Sequence, residues 1–176
     1  MSWFVIFLIV FIVFIFAVIF VYNRLVEIRN KYFNDMERMK ENLKDRVNIL
    51  IEIMENTAMY ANFDDNDMKA LIDFKSQISS ANSIEELRNI NEAIKKIHYD
   101  IWFTLQKAMK KAPEKEWDKL NKLKVRLENL ENKFYTLVYD VEKLEHNYKK
   151  LFEIPIFSFI KNNNSMFDKE LSADRK

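Results

Sequence analysis

The chain has 176 residues, 28 basic against 27 acidic for a net charge of +1, two prolines, no glycine and no cysteine. Without cysteine there is no disulfide framework and no thiolate metal site, and the balanced charge argues against general nucleic-acid binding, which needs a positive field. Without glycine the positive-φ turns of P-loops, dinucleotide sites, kinase-type sites and nucleophile elbows are missing, so the expected product is an all-α chain of long helices.

Residues 3–22 carry no charge and no polar interruption. Twenty helical residues reach ~30 Å, the thickness of a bilayer hydrocarbon core. Trp3 and Tyr22 bracket the run, where amphipathic rings favour the two headgroup layers. A cleaved secretory signal would have a basic leading region, a shorter apolar run and a small-residue cleavage site. Here nothing basic precedes the run, and Ala17 is its one small residue. The stretch therefore predicts an uncleaved anchor over residues 1–22. Arg24, Arg29, Lys31, Arg38 and Lys40 follow the span, while Met1 and Ser2 offer no cation. That asymmetry predicts a single-pass protein of the cell membrane with its N-terminus outside and its bulk cytoplasmic.

Beyond the anchor, the apolar positions Leu25, Ile28, Tyr32, Met36, Met39, Leu43, Val47, Leu50, Met54, Ala58 and Ala61 repeat in steps of three, four and four. This 11-residue period keeps one stripe on one side of a nearly straight helix. With no breaker at Asn23, one helix is expected from Phe4 to Ala61, its last 39 residues projecting ~58 Å past the membrane. Asp64-Asp65-Asn66-Asp67 ends it. The run lacks the spacing, central glycine and distant glutamate of a calcium loop, so it reads as a helix cap by Asp65, Asn66 or Asp67.

A short helix is expected over 68–78, with Met68, Leu71, Ile72 and Ile78 inward. Ser83-Ile84-Glu85-Glu86 has capping-box form and opens a third helix. Its stripe is Ile84, Leu87, Ile90, Ile94, Ile97, Ile101, Leu105 and Met109. Pro113 breaks the chain before a fourth helix with a strict heptad. Leu120, Leu127, Phe134, Val141 and Tyr148 hold one seam position; Leu123, Leu130, Leu137, Leu144 and Leu151 hold the other. Such a seam suits a parallel dimeric zipper, but Tyr135, Val138 and Tyr139 widen the apolar face toward a bundle core. Segments 23–61 and 114–151 are nearly matched rods, so the expected fold is a four-helix, up-down antiparallel bundle over 23–160, continuous with the anchor. The apolar cluster 154–160, with Phe157 and Phe159, would dock on the bundle base or dip into the headgroup layer. A poorly ordered tail is expected over 161–176.

Catalytic chemistry finds no candidate. His98 and His146 follow lysines, Lys95 and Lys143, by three positions, which is not the Glu-x-x-His of di-iron bundles. The helix carboxylates alternate with Lys and Arg as a solvated face does. The expectation is no enzyme, no metal and no cofactor. The strongest surface candidate is the basic stretch 107–126, including Lys107, Lys110, Lys111, Lys115, Lys119 and Lys122, at the end of the bundle far from the membrane. It could meet an acidic partner or another membrane, although a solvated helix-turn-helix end has the same composition. The membrane-interface candidates are Trp3, Tyr22, Asn23, Arg24, Phe157 and Phe159.

Tyr22-Asn23-Arg24-Leu25-Val26-Glu27-Ile28-Arg29-Asn30 resembles the opening signature of the LemA family, a Tyr-Asn pair after the anchor, then Leu-Val, then Arg-Asn. Leu43, Lys44, Arg46, Glu55 and Tyr60-Ala61 continue the likeness, and Leu127-Glu128-Asn129-Leu130-Glu131-Asn132-Lys133 looks like a later stretch of it. Pro155 after Ile154 is similar to the family's Phe-Pro; Ile51 and Met59 stand where its pattern has Pro and Gly. The resemblance implies a divergent member: an anchored helical bundle with cytoplasmic bulk and no enzymatic activity. A family member associated with magnetosome membranes suggests a membrane-organising role by analogy. The functional expectation is thus a scaffold on membrane lipid with an unidentified protein partner and no nucleic acid. A regulatory partner of a membrane enzyme such as a protease, or a homodimeric coiled-coil anchor, is the alternative.

Overall fold

A computed structural model describes residues 3–108 and 114–152, which form four helices: α1 (Trp3–Thr57), α2 (Asp65–Ser80), α3 (Ile84–Ala108) and α4 (Glu114–Phe152). Among the described residues there is no strand. The segments 109–113 and 153–176 lie outside the description. With them lie Lys110, Lys111, Phe157, Phe159 and the expectations for 154–160 and for the tail.

Helix α1 runs for 55 residues without interruption at the Tyr22-Asn23 pair. No proline or glycine occurs in it to break its hydrogen-bond ladder. Residues 3–17 are all exposed. From Val21 the expected stripe turns inward: Leu25, Ile28, Tyr32, Met36, Met39, Leu43, Val47, Leu50 and Met54 are buried. Each fully buried aliphatic side chain contributes ~1.5–3 kcal/mol. The stripe therefore holds the helix in place far more strongly than intrinsic propensity does. From Asp35 onward a second stripe is buried as well, through Asn42, Arg46, Ile49, Ile53 and Thr57. In this distal part α1 is covered on two sides.

The helix ends at Thr57, four residues before the expected Ala61. Thr57 Oγ1 donates to the Ile53 carbonyl at 2.7 Å, and the Thr57 carbonyl accepts from both Tyr60 and Ala61 backbone N–H groups. That tight turn swings Ala58 into solvent and returns Ala61 to the core. Next, Asp64 caps α2, not the three residues after it. Its carboxylate accepts from Asn66 N–H at 2.9 Å, with Asp65 and Asp67 in the first helical turn. The inward face of α2 is Leu71 and Ile78, with Met68 half-buried, while Ile72, expected inward, is 54% exposed. One position from Leu71 is a 100° rotation, enough to leave a narrow contact stripe.

Ser83 caps α3 as its spacing predicts: Glu86 N–H donates to Ser83 Oγ at 3.2 Å. The reciprocal arm is shifted, since Glu86 Oε2 accepts from Asn82 N–H rather than from the cap residue itself. All seven described members of the α3 stripe are buried. In α4 the seam Leu120, Leu127, Phe134, Val141 and Tyr148 is buried, and Leu137, Val138 and Leu144 join it. Leu123 and Leu130 are half-buried. Tyr135 and Tyr139, expected to widen the core face, are exposed instead. Their rings sit where long side chains bridge to α3, or toward solvent, and do not fill the helix interface.

Side-chain bridges fix the topology. Asn42 Nδ2 donates to the Leu130 carbonyl at 3.0 Å and Lys119 Nζ to Asn56 Oδ1 at 3.0 Å, so α4 runs antiparallel to α1. Arg88 pairs with Glu142, and Lys95 pairs with Glu131 at 3.3 Å, so α4 is antiparallel to α3 too. The order is up, down, up, down. The backbone of α1 closely approaches those of α2, α3 and α4. Facing α4, α3 meets it mainly through long polar side chains.

Candidate functional site

The polar centre of the bundle begins with Arg46, on the second buried stripe of α1 and 1% exposed. Removing a guanidinium from water is costly unless its donors are satisfied. Arg46 Nη1 donates to Asn91 Oδ1 of α3, and Nη2 lies 3.9 Å from Glu131 Oε2 of α4. Three helices thus converge on one cation. Burial pushes the guanidinium below its usual range, and Glu131, Tyr135 and Glu92 pull it back.

The network widens from there toward solvent. Lys95 Nζ lies 3.3 Å from Glu131 Oε1 and donates to Tyr135 Oη at 3.5 Å. Those two hydrogen bonds, Glu131 first, raise the Lys95 pKa. Tyr135 Oη donates to Glu92 Oε1 at 3.4 Å, which also accepts from Asn91 Nδ2 at 3.3 Å. His98 is half-buried on the same side of α3. Burial, then the Arg46 charge, lowers its pKa. Beside this network a groove of about 380 Å³ runs between α3 and α4, lined by Glu85, Arg88, Asn89, Asn91, Glu92, Phe134, Tyr135 and Val138.

This arrangement holds charges in fixed register between helices. Asn42 Oδ1 and Arg46 Nε have no partner. Among the described residues no group of three or more His, Asp or Glu is placed to hold a metal ion. The buried arginine sets a strong constraint on helix alignment, because any slip would strand it.

The residues singled out in the sequence lie elsewhere, at the two ends of the molecule. Trp3, Tyr22, Asn23 and Arg24 are exposed, Arg24 pairing with Glu27 at 2.5 Å. The first part of α1 is apolar and almost wholly uncovered, so this helix is long and apolar enough to cross a membrane. At the other end Lys107, Lys115, Lys119 and Lys122 are exposed. Lys107 Nζ stands 3.6 Å over the Phe103 ring, and Lys119 reaches Asn56, so two of the four are engaged within the chain.

Sequence reasoning missed the centre. Arg46 entered only through a family resemblance, Asp67 only as a candidate helix cap, and Asn42, Asn91 and Asp35 were not singled out. Asp35 is in fact buried beside Arg38 at 2.9 Å. Burial, then Asp64 and Asp100, raises the Asp67 pKa. A signal was present: Ile49 and Ile53 fall off the main stripe and mark a second inward face that, followed backward by helical steps, meets Arg46 and Asn42.

No protein-family model, no curated protein and no solved structure matches the chain.

Proposed function

We propose that the protein is a non-enzymatic, single-pass membrane scaffold, a divergent relative of the LemA family, whose bundle stands on the cytoplasmic face of the cell membrane. The observation that carries this reading is the continuity of α1. Its first eighteen residues present an apolar surface almost wholly to the surroundings, and the same helix becomes the central packing element of the bundle. A core helix of a soluble protein would be covered, and a cleaved signal would not supply Val21 and Leu25 to the folded core. The rigid connection suits presenting a surface at a set height and angle above lipid. Exposed Lys115 and Lys122 at the distal tip offer that surface to an acidic protein partner.

The test is membrane integration and topology of the full chain in cells. The chain should resist alkaline extraction, and a single cysteine placed at Asp64 should be shielded from an impermeant thiol reagent until the membrane is opened. Extraction at alkaline pH would sink the anchor; labelling in intact cells would sink the orientation. Proximity labelling from Lys122, with and without charge reversal of the tip lysines, would test the partner surface; an unchanged neighbour set would contradict it.

A further inference from the structure

Where α1 leaves its apolar segment, α4 returns to meet it. Arg24, Glu27, Ile28 and Lys31 of α1 and Asp140, Lys143, Leu144 and Asn147 of α4 line a groove of about 220 Å³ between the two helices. Arg24 is two residues past Tyr22 and Lys31 nine, which places them ~3 Å and ~14 Å along the helix beyond the end of the apolar run. The headgroup layer is ~5–8 Å thick on each side of the hydrocarbon core. Extended lysine stems reach back into it while the ammonium stays wet. If the span lies in a bilayer, the groove therefore runs from the headgroup layer, at Arg24, to the water just beyond it, at Lys31.

Charge in the groove is unevenly matched. Arg24 is paired with Glu27. Lys31 and Lys143 come from different helices, are both exposed, and make no ion pair within 4 Å among the described residues. Two ammonium groups against one further carboxylate, Asp140, thus leave the cleft net positive, and its apolar lining residues, Ile28 and Leu144, are buried. Asn147 adds an amide donor on the membrane side. An apolar floor beneath converging cations at a membrane exit is the arrangement that takes the headgroup of an anionic phospholipid.

We propose that this α1–α4 groove binds the phosphate of an anionic phospholipid, with Lys31 and Lys143 as its two cationic arms. The proposal rests on the anchoring reading above and adds a specific lipid class and site to it. Seating a lipid between α1 and α4 would brace the bundle at its base, against the same helix pair that carries the membrane-proximal core.

The experiment uses the full chain in vesicles of phosphatidylcholine doped with spin-labelled phosphatidylglycerol or spin-labelled phosphatidylcholine. The fraction of label immobilised by the protein is the readout. The wild type should immobilise the anionic label preferentially, and each of Lys31→Gln and Lys143→Gln should reduce that preference on the order of fivefold. Lys149→Gln/Lys150→Gln removes two charges from the same end of α4 outside the groove, and should leave most of the preference. Equal losses from both pairs would mean a diffuse basic fringe and would overturn the groove. Flotation with pure phosphatidylcholine vesicles separates the two claims. A chain that inserts but shows no anionic preference defeats the groove alone. A chain that does not insert defeats the anchor and the groove together.

Discussion

Arg46 of α1 and Asn91 of α3, 45 residues apart in sequence, are joined by a hydrogen bond from the guanidinium Nη1 to the amide oxygen, with both side chains buried. Asn91 is thereby the nearest acceptor to a cation whose carboxylate partner, Glu131, is more distant at 3.9 Å.

Stability should depend asymmetrically on this pair. Asn91→Leu leaves the buried charge without its closest acceptor and should cost ~3–5 kcal/mol. Arg46→Met removes the charge itself; Glu131 keeps Lys95, so the loss should be smaller, within about 2 kcal/mol. Combining the two should recover much of the Asn91→Leu loss. Urea unfolding of the full chain in micelles, followed by helical circular dichroism, measures all three. A double variant no better than Asn91→Leu would show that the arginine is not the source of the cost.

Burial predicts a sharp contrast between two apolar residues. Phe134 is fully buried on the α4 seam, and Phe134→Ala should cost ~3–5 kcal/mol. Ile72 is largely exposed on α2, so Ile72→Ala should stay within ~0.5 kcal/mol. The same unfolding assay reads both, and comparable losses would mean that Ile72 packs inward as its sequence position first suggests.

The cap of α2 discriminates between neighbouring acids. Asp64→Ala removes the acceptor for Asn66 N–H and should cost ~0.5–2 kcal/mol. Asp65→Ala loses only a charge in the first turn, ~0.3–1 kcal/mol. Amide hydrogen exchange of residues 66–68 should accelerate in the first variant much more than in the second.

For the fragments of sequence that fold as expected, the physical cause is period. The α1 and α3 stripes and one α4 seam recur at helical spacing because each helix buries one side, and burial at that spacing can be read without knowing the partner. What escaped was set by partners. Ile72 and Ala58 match an apolar pattern but face away, because α2 packs through a narrow stripe at Leu71 and Ile78 and α1 ends at Thr57. Tyr135 is apolar enough to look like core, yet its hydroxyl belongs to a polar bridge between α3 and α4. Arg46 is the converse: a charge that looks like surface, carried inward because three helices supply its surroundings. The apolar span and its unbroken extension were legible because glycine and proline, the residues that would have interrupted them, are absent there.

The half-buried His98 gives a pH dependence whose sign follows from its surroundings: Arg46 on α1, and Glu131, Glu128 and Lys124 on α4. Burial and Arg46 depress its pKa below the ordinary value of about 6.5. As pH falls through ~6.5 the unfolded chain takes up a proton that the folded chain refuses. This residue's contribution is therefore complete above ~6.5, declines as pH falls, and levels off below the folded-state pKa. Imidazole NMR of the folded chain should place the His98 midpoint below 6.5, and His98→Gln should remove its part of the decline. A midpoint at or above 6.5 would mean that the nearby carboxylates outweigh burial.

The central claim is that the exposed apolar segment and the first bundle helix are one rigid element. Because the chain has no cysteine, spin labels can be placed singly at Val10 and Asn30, both exposed and on either side of Tyr22-Asn23. Twenty residues of unbroken helix separate them by ~30 Å. Double electron–electron resonance on the full chain in lipid nanodiscs should give one narrow distance distribution near that value. A broad or markedly shorter distribution would place a flexible joint at the membrane exit and contradict the account.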